Sequence, residues 1–292
     1  MDVLEATALV DLANSYSVDL GPPKRISVPN ASKLTALRDV TVNGTLLHKQ
    51  FAQLDPASSQ RTYTQGSYRV SSDGDLHFCL GTADGQPHIA CELQNASAFV
   101  QTFTAAIGET ISVSGFFRCL FEHPGFRSND DAHIFEVHPV RAVALGGGAI
   151  QAFGVDKPDP ASIHSWAAPH NLSDQDNRIQ VTYDQTSDVL TFTGMDGMDE
   201  NYVQVSGTIS AISDNPAAPS PATFTFSSAD IGRNIEVFAL EGTNAIGQLR
   251  QLGPAEVTMV GLRNIDLQAA LDDRYVITML AIDLQPASAP RQ

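Results

Sequence analysis

A set of five short runs of alternating apolar and polar residues occurs twice along the chain. In the first half the runs are 39–48, 75–81, 87–94, 109–119 and 132–143; in the second they are 202–212, 222–227, 234–241, 256–263 and 274–284. Gly, Asp, Asn and Pro bound them, which is the pattern of strands separated by turns. The correspondence reaches single residues. The segment VTVNGTL is mirrored by VQVSGTI, ISVSGFF by VTMVGLR, and an acidic pair precedes the last run each time, Asp130-Asp131 and Asp272-Asp273. Glycine lies inside the first and fourth runs of both copies, at Gly44, Gly115, Gly207 and Gly261. A glycine inside a strand costs stability unless a bend, a bulge or a close approach needs it.

Five strands with bends in the first and fourth suit a small closed barrel, in which one long strand must curve to pair with both neighbours. On these residues the chain resembles the OB-fold, a five-stranded Greek-key barrel, over about 31–143 and again over about 176–284. An ordinary β-sandwich is the competing architecture. The resemblance implies an all-β protein with two OB-like barrels in tandem. The expected layout is an N-terminal extension (1–30), barrel 1 (31–145), a Gly/Pro linker (146–175), barrel 2 (176–286) and a tail (287–292). Leu4, Ala8, Leu12 and Ala13 have the spacing of a short helix, which cannot continue through Gly21-Pro22-Pro23. The triple glycine 146–148 reads as a flexible joint, with Trp166 anchoring the linker on a barrel. Asn177–Tyr183 and Asp188–Thr193 read as a hairpin added to barrel 2.

Charge narrows the partners. Lys plus Arg number 17 and Asp plus Glu 33, giving −16. Binding to a phosphate backbone rests on Lys and Arg displacing counterions, so general coating of DNA is disfavoured, as is binding to an anionic membrane. No apolar run approaches the ~20 residues that span a bilayer, and the acidic start MDVLEATALVDLAN is unlike a secretion signal. The expected location is the cytoplasm. Cys79, Cys91 and Cys119 have no CxxC spacing and read as buried thiols in a reducing compartment, and the four N-x-S/T triplets at Asn30, Asn43, Asn95 and Asn171 read as chance matches.

Two polar constellations stand out. D-G-D-L-H ends at His77 and E-V-H-P-V spans Glu136 to Val140. His77, Glu136 and His138 could make a two-His, one-carboxylate metal triad, which would imply a divalent ion and a metal-dependent hydrolase. With strands two and five expected on either side of strand one, His77 need not meet the other two, and hydrogen bonding at a barrel rim is the alternative. The second copy has Val276, Thr278 and Leu280 in the corresponding region, so the barrel itself does not demand the polar set. The same motifs resemble a family of uncharacterised bacterial proteins with D-G-D-[IL]-H and E-[IL]-H-P-V in an OB-like domain. That resemblance supports the domain over Asp73–Val143 and implies no activity.

The second constellation is aromatic and basic. Phe116, Arg118, Phe121 and Arg127 could form a platform on which single-stranded nucleic acid stacks. Core packing of the rings is the alternative. No serine-hydrolase elbow, zinc-protease or dinucleotide fingerprint occurs, and the acidic run Met195–Glu200 reads as a solvated turn. The reading is a non-enzymatic binding or assembly protein, without a cofactor, whose partner is another protein or a second copy. Single-strand binding by barrel 1 and a metal-dependent hydrolase are the alternatives.

Overall fold

The computed structural model describes residues 2–5, 9, 16–19, 21–47, 53–55, 75–81, 88–93, 99–121, 134–145, 151–152, 163–165, 178–194, 202–216 and 221–287. Barrel 1 is built from β4 (Asp39–Leu46), β6 (Asp75–Gly81), β7 (His88–Leu93), β8 (Thr110–Cys119) and β9 (Phe135–Leu145). Strand β4 pairs with both β6 and β8, β9 lies between β8 and β7, and β7 runs parallel to β9. Numbered within the barrel, the closed order is 1-2-3-5-4-1. Barrel 2 repeats it with β14 (Tyr202–Ser213), β15 (Ala222–Ser228), β16 (Arg233–Ala239), β17 (Glu256–Ile265) and β18 (Ile277–Pro286). Its pairings β14–β15, β15–β16, β16–β18, β18–β17 and β17–β14 close the ring, again with a parallel third and fifth strand. This is the OB topology in both halves. It also corrects one expectation, because strand five lies between strands three and four and does not flank strand one.

Period-two alternation builds each ring. In β14, Val203, Val205 and Ile209 point into the barrel while Gln204, Ser206 and Thr208 face outward. A helix closes each barrel between strands three and four. Helix α2 (Val100–Ala105) follows α1 (Ala31–Leu34) in the chain and sets Phe103 against Phe78 at 4.9 Å. Helix α3 (Asn244–Leu252) buries Ala245, Ile246 and Leu249, while Gln248 donates to Asp283 and accepts from the Leu284 N–H, both at 2.7 Å. A last short helix, α4 (Leu267–Ala270), is capped by Asp266.

The fourth-strand glycines have a clear cause. A Cβ on Gly115 would lie 2.5 Å from the Pro139 carbonyl oxygen, and one on Gly261 would lie 2.7 Å from that of Leu280. In each barrel the register between strands four and five slips beside this glycine. The bulge tightens the coil that closure needs, and only glycine lets the two backbones approach.

The repeat is longer than a barrel. Strand β1 (Asp2–Glu5) adds in parallel to β4, and β11 (Ile163–Ser165) adds in parallel to β14. Asp2–Glu5 is therefore strand where the expected helix would have begun; Leu9 is helical and buried, and the rest of that stretch lies outside the described residues. A hairpin follows in each half: β2 (Ser17–Asp19) with β3 (Arg25–Pro29), and β12 (Gln180–Asp184) with β13 (Val189–Thr193). The second hairpin does not join barrel 2, as its sequence position suggested. It pairs β13 with β3 to make a separate four-stranded sheet, β12-β13-β3-β2. The two halves of this sheet match around the Ser27–Thr191 pair. Asp19 accepts from the Gly21 N–H and Asp184 from the Thr186 N–H, each at 2.9 Å, so even the hairpin turns correspond.

The inner face of this sheet packs on the shared core through Ile26, Val28, Val181, Leu190 and Phe192, and Phe192 meets Phe121 edge-on at 4.9 Å. Tyr183 N–H donates to Asp273 at 2.6 Å, which ties the sheet to barrel 2. Two short strands extend the first sheet: β5 (Gln53–Asp55), between strands one and two, pairs with β6, and β10 (Gln151–Ala152), at the linker, turns back to pair with β9. Gly146–Gly148 and Trp166 lie outside the described residues. No helix among the described residues is long and apolar enough to cross a membrane.

Candidate functional site

Of the polar residues singled out in barrel 1, Arg118, Glu136 and His138 lie on the outward face of strands four and five, beside Glu92 of strand three, and barrel 2 covers that face; His77 is on strand two. Arg118 on β8 and Glu136 on β9 are register partners, as Phe117 is with Val137. Glu92 lies one residue beyond the β7 position that pairs with Val137. Arg118, Glu136, His138 and Glu92 are all buried, with relative exposures of 0%, 4%, 0% and 1%. Arg118 Nη1 lies 2.6 Å from Glu136 Oε1. His138 Nδ1 lies 3.1 Å from Glu92 Oε2 and 3.2 Å from Glu136 Oε1. Barrel 2 completes the group, since His138 Nε2 is 3.1 Å from the Tyr202 hydroxyl and Arg118 Nε donates to the Arg263 carbonyl at 2.7 Å.

Electrostatics explain why such a group survives burial. Desolvation works to lower the His138 pKa, but Glu92 and Glu136, by charge and by hydrogen bonding, outweigh it and raise the value to about 10. Protonated His138 and Arg118 then balance two carboxylates, and the cluster is neutral as a whole. A buried charge is tolerated only when paired and hydrogen-bonded in this way.

Barrel 2 presents a different chemistry at the matching places. With the glycines and strand registers aligned, Arg118 corresponds to Asn264, Glu136 to Thr278, His138 to Leu280 and Glu92 to Phe238. Asn264 Nδ2 donates to Thr278 Oγ1 at 2.9 Å, a neutral counterpart of the Arg118–Glu136 pair. Asn264 also reaches across, accepting from the Cys119 N–H at 2.9 Å. Around this polar core Phe116, Tyr202, Phe238, Leu240, Leu262, Leu280 and Ile282 form one apolar cluster shared by both barrels. Phe116 and Phe238 are 5.7 Å apart, and the Arg38 guanidinium lies 5.4 Å from the Phe238 ring.

This placement sorts the expected residues. Phe116 and Phe121 are at 0% exposure and Arg118 is buried with them, so these three form core and joint, not a platform open to bases. Arg127 lies outside the described residues. Of the expected metal triad, Glu136 and His138 do come together. The third carboxyl or imidazole is Glu92, whose β7 position is the register partner of His77 on β6. Glu92, Glu136 and His138 offer three ligand atoms within 4.8 Å of one another. The Arg118 guanidinium is, however, already paired with the Glu136 carboxylate at 2.6 Å, and His138 Nδ1 lies within 3.2 Å of both acids. The donor set fits an ion-pair cluster better than a divalent cation.

Elsewhere the chemistry is quiet. Cys79, Cys91 and Cys119 are buried and form no disulfide, and burial pushes the Cys91 and Cys119 thiols up, so neither is a thiolate at neutral pH. On barrel 2 the outward side chains of the first three strands, outside the joint, include Gln204, Ser206, Thr208, Thr223, Thr225, Ser227, Asn234 and Glu236. That surface has no exposed aromatic ring among the described residues.

No family model and no curated protein matches the chain. Among solved structures it is similar to a deletion mutant of the single-stranded DNA-binding protein from Thermus aquaticus, with 15% identity over 88% of this chain and 98% of that one, at a TM-score of 0.22.

Proposed function

We propose that this chain is a non-enzymatic binding or assembly protein in which two OB-like barrels act as one body, engaging a protein partner or a second copy of itself. One observation carries the reading: the charged constellation of Arg118, Glu136, His138 and Glu92 is closed inside the contact between the barrels, at 0–4% exposure. A charge of −16 points the outer surface away from polyanions. Multi-angle light scattering and fluorescence anisotropy with a labelled oligothymidylate test it on the purified chain. Self-association, or a stoichiometric protein complex, with no oligonucleotide binding at physiological salt is the expected result. Tight oligonucleotide binding with a steep salt slope would sink it.

A second reading, single-strand binding by barrel 1, has a different support from the one its first four residues offered. Residues 56–72, between β5 and β6, contain Arg61, Tyr63, Tyr68 and Arg69 and no acid. In OB-folds the connection between strands one and two belongs to the ligand-binding end, and rings beside cations are what single strands stack on. Under this reading Arg61→Glu with Arg69→Glu abolishes oligonucleotide binding measured at low salt. The hydrolase reading has least support, because Arg118 competes with a metal ion for Glu136.

A further inference from the structure

We propose that the outer face of the four-stranded sheet β12-β13-β3-β2 is a self-association surface, on which a second copy of this chain docks face to face after a half-turn. The inference rests on the self-association half of the function proposed above. Across the middle of the sheet Thr182, Thr191, Ser27 and Ser17 stand in register, one from each strand, on the side opposite the buried Ile26, Val28, Leu190 and Phe192. The row is uncharged. In a chain of −16, two copies repel through most of their surface and can approach only where acids are sparse.

The two ends of the sheet have opposite sign. At one end lie Lys24, Arg25 and Arg178, with Asp19 opposite Arg25. These three cations carry no ion pair among the described residues, and Arg25 and Arg178 are exposed. Gly194 N–H donates to the Lys24 carbonyl at 2.9 Å, which brings the ends of β13 and β3 together there. At the other end lie Asp184, Asp188 and Asp273, with Lys33 near Asp188. Among these described residues, each end thus sums to two charges, 3 − 1 positive and 3 − 1 negative. A second copy turned by a half-turn about an axis across the strands sets each basic end on an acidic end and hydroxyl row on hydroxyl row. Three strands of five residues and β2 of three, about 4.8 Å apart, give a face of roughly 300 Å² per copy. That is the size of a transient contact, so the association is weak and salt-sensitive.

Sedimentation equilibrium of the full chain up to ~0.5 mM, at low and high salt, tests the proposal. The expected result is a reversible dimer that Arg25→Glu with Arg178→Glu weakens about tenfold or more, that added salt weakens likewise, and that Thr191→Arg abolishes. Thermal melting checks that each variant remains folded. A wild-type chain that stays monomeric throughout overturns both this surface and the self-association reading. A wild-type dimer indifferent to all three substitutions overturns the surface alone. Loss of oligonucleotide binding in the double variant, with the mass unchanged, also overturns it in favour of a nucleic-acid face.

Discussion

Arg118 Nη1 and Glu136 Oε1 lie 2.6 Å apart on neighbouring strands of barrel 1, and the same guanidinium donates through Nε to the Arg263 backbone of barrel 2. One side chain therefore pairs with an acid of one barrel and fastens that barrel to the other. Arg118→Met removes the charge while keeping much of the packing and leaves Glu136 without its cation. Loss of one partner of a buried pair costs about 3–5 kcal/mol. Urea unfolding should show that loss, and an unchanged midpoint would remove the pair from any structural role. Arg118→Met combined with Glu136→Leu should recover part of the stability, because an apolar replacement of both partners avoids the buried charge.

His138 gives the joint a pH dependence with a definite sign. Its folded pKa, raised to about 10, exceeds the ordinary imidazole value near 6.5, so protonated His138 favours the folded state. The contribution is complete below about pH 6.5 and is lost as pH climbs through about 10. Stability measured between pH 6.5 and 10 should fall, and His138→Gln should flatten that slope. A variant as steep as the parent would show that other groups set the dependence.

Tyr202→Phe deletes the hydroxyl that meets His138 Nε2 and leaves the ring in the shared apolar cluster. The expected cost is about 1.5–3 kcal/mol by chemical denaturation, the value of a hydrogen bond to a charged group. A loss indistinguishable from zero would mean that water or another group takes over the imidazole.

Gly115→Ala and Gly261→Ala should each destabilise by about 2 kcal/mol or more, since the new methyl meets a carbonyl oxygen of the fifth strand in both barrels. Gly247 has nothing within 4 Å of its Cβ position and lies in α3, so Gly247→Ala should be neutral or stabilising in the same melting assay. The contrast separates close approach from a general intolerance of substitution.

Zn²⁺ or Mn²⁺ should leave the melting temperature unchanged, and protein purified without chelator should contain no stoichiometric metal by elemental analysis. The cations that Glu92 and Glu136 need are already supplied by Arg118 and His138. A bound ion at one per chain would restore the metal reading and require Arg118 to move.

Alternation and punctuation alone located the strands closely: Asp75–Gly81 matches to the residue, and Tyr202–Ser213 extends the expected run by one. Of the mid-strand glycines, Gly115 and Gly261 marked the close approach of strands four and five, where a fifth-strand carbonyl leaves no room for a Cβ. The helix Asn244–Leu252 was missed, although Ala245, Ile246 and Leu249 carry its spacing; Gly247 in its middle weakened the signal. Glu136 and His138 were legible because their two-residue spacing puts them on one face of a strand.

What the linear chain determined by itself is therefore the repeated barrel, since strand period, turn residues and bend glycines are local properties. What only the tertiary structure decided is the use of each outward face. Period two separates a barrel's inside from its outside, but it cannot tell whether the outside meets water or a second barrel. Glu92 joined the cluster because the parallel pairing of β7 with β9 sets Ala90 beside Glu136, 46 residues on in the chain. Arg118, exposed by periodicity, was buried by contacts 145 residues distant. The two hairpins likewise found each other because their apolar faces share one core, a long-range energy that no window of sequence contains.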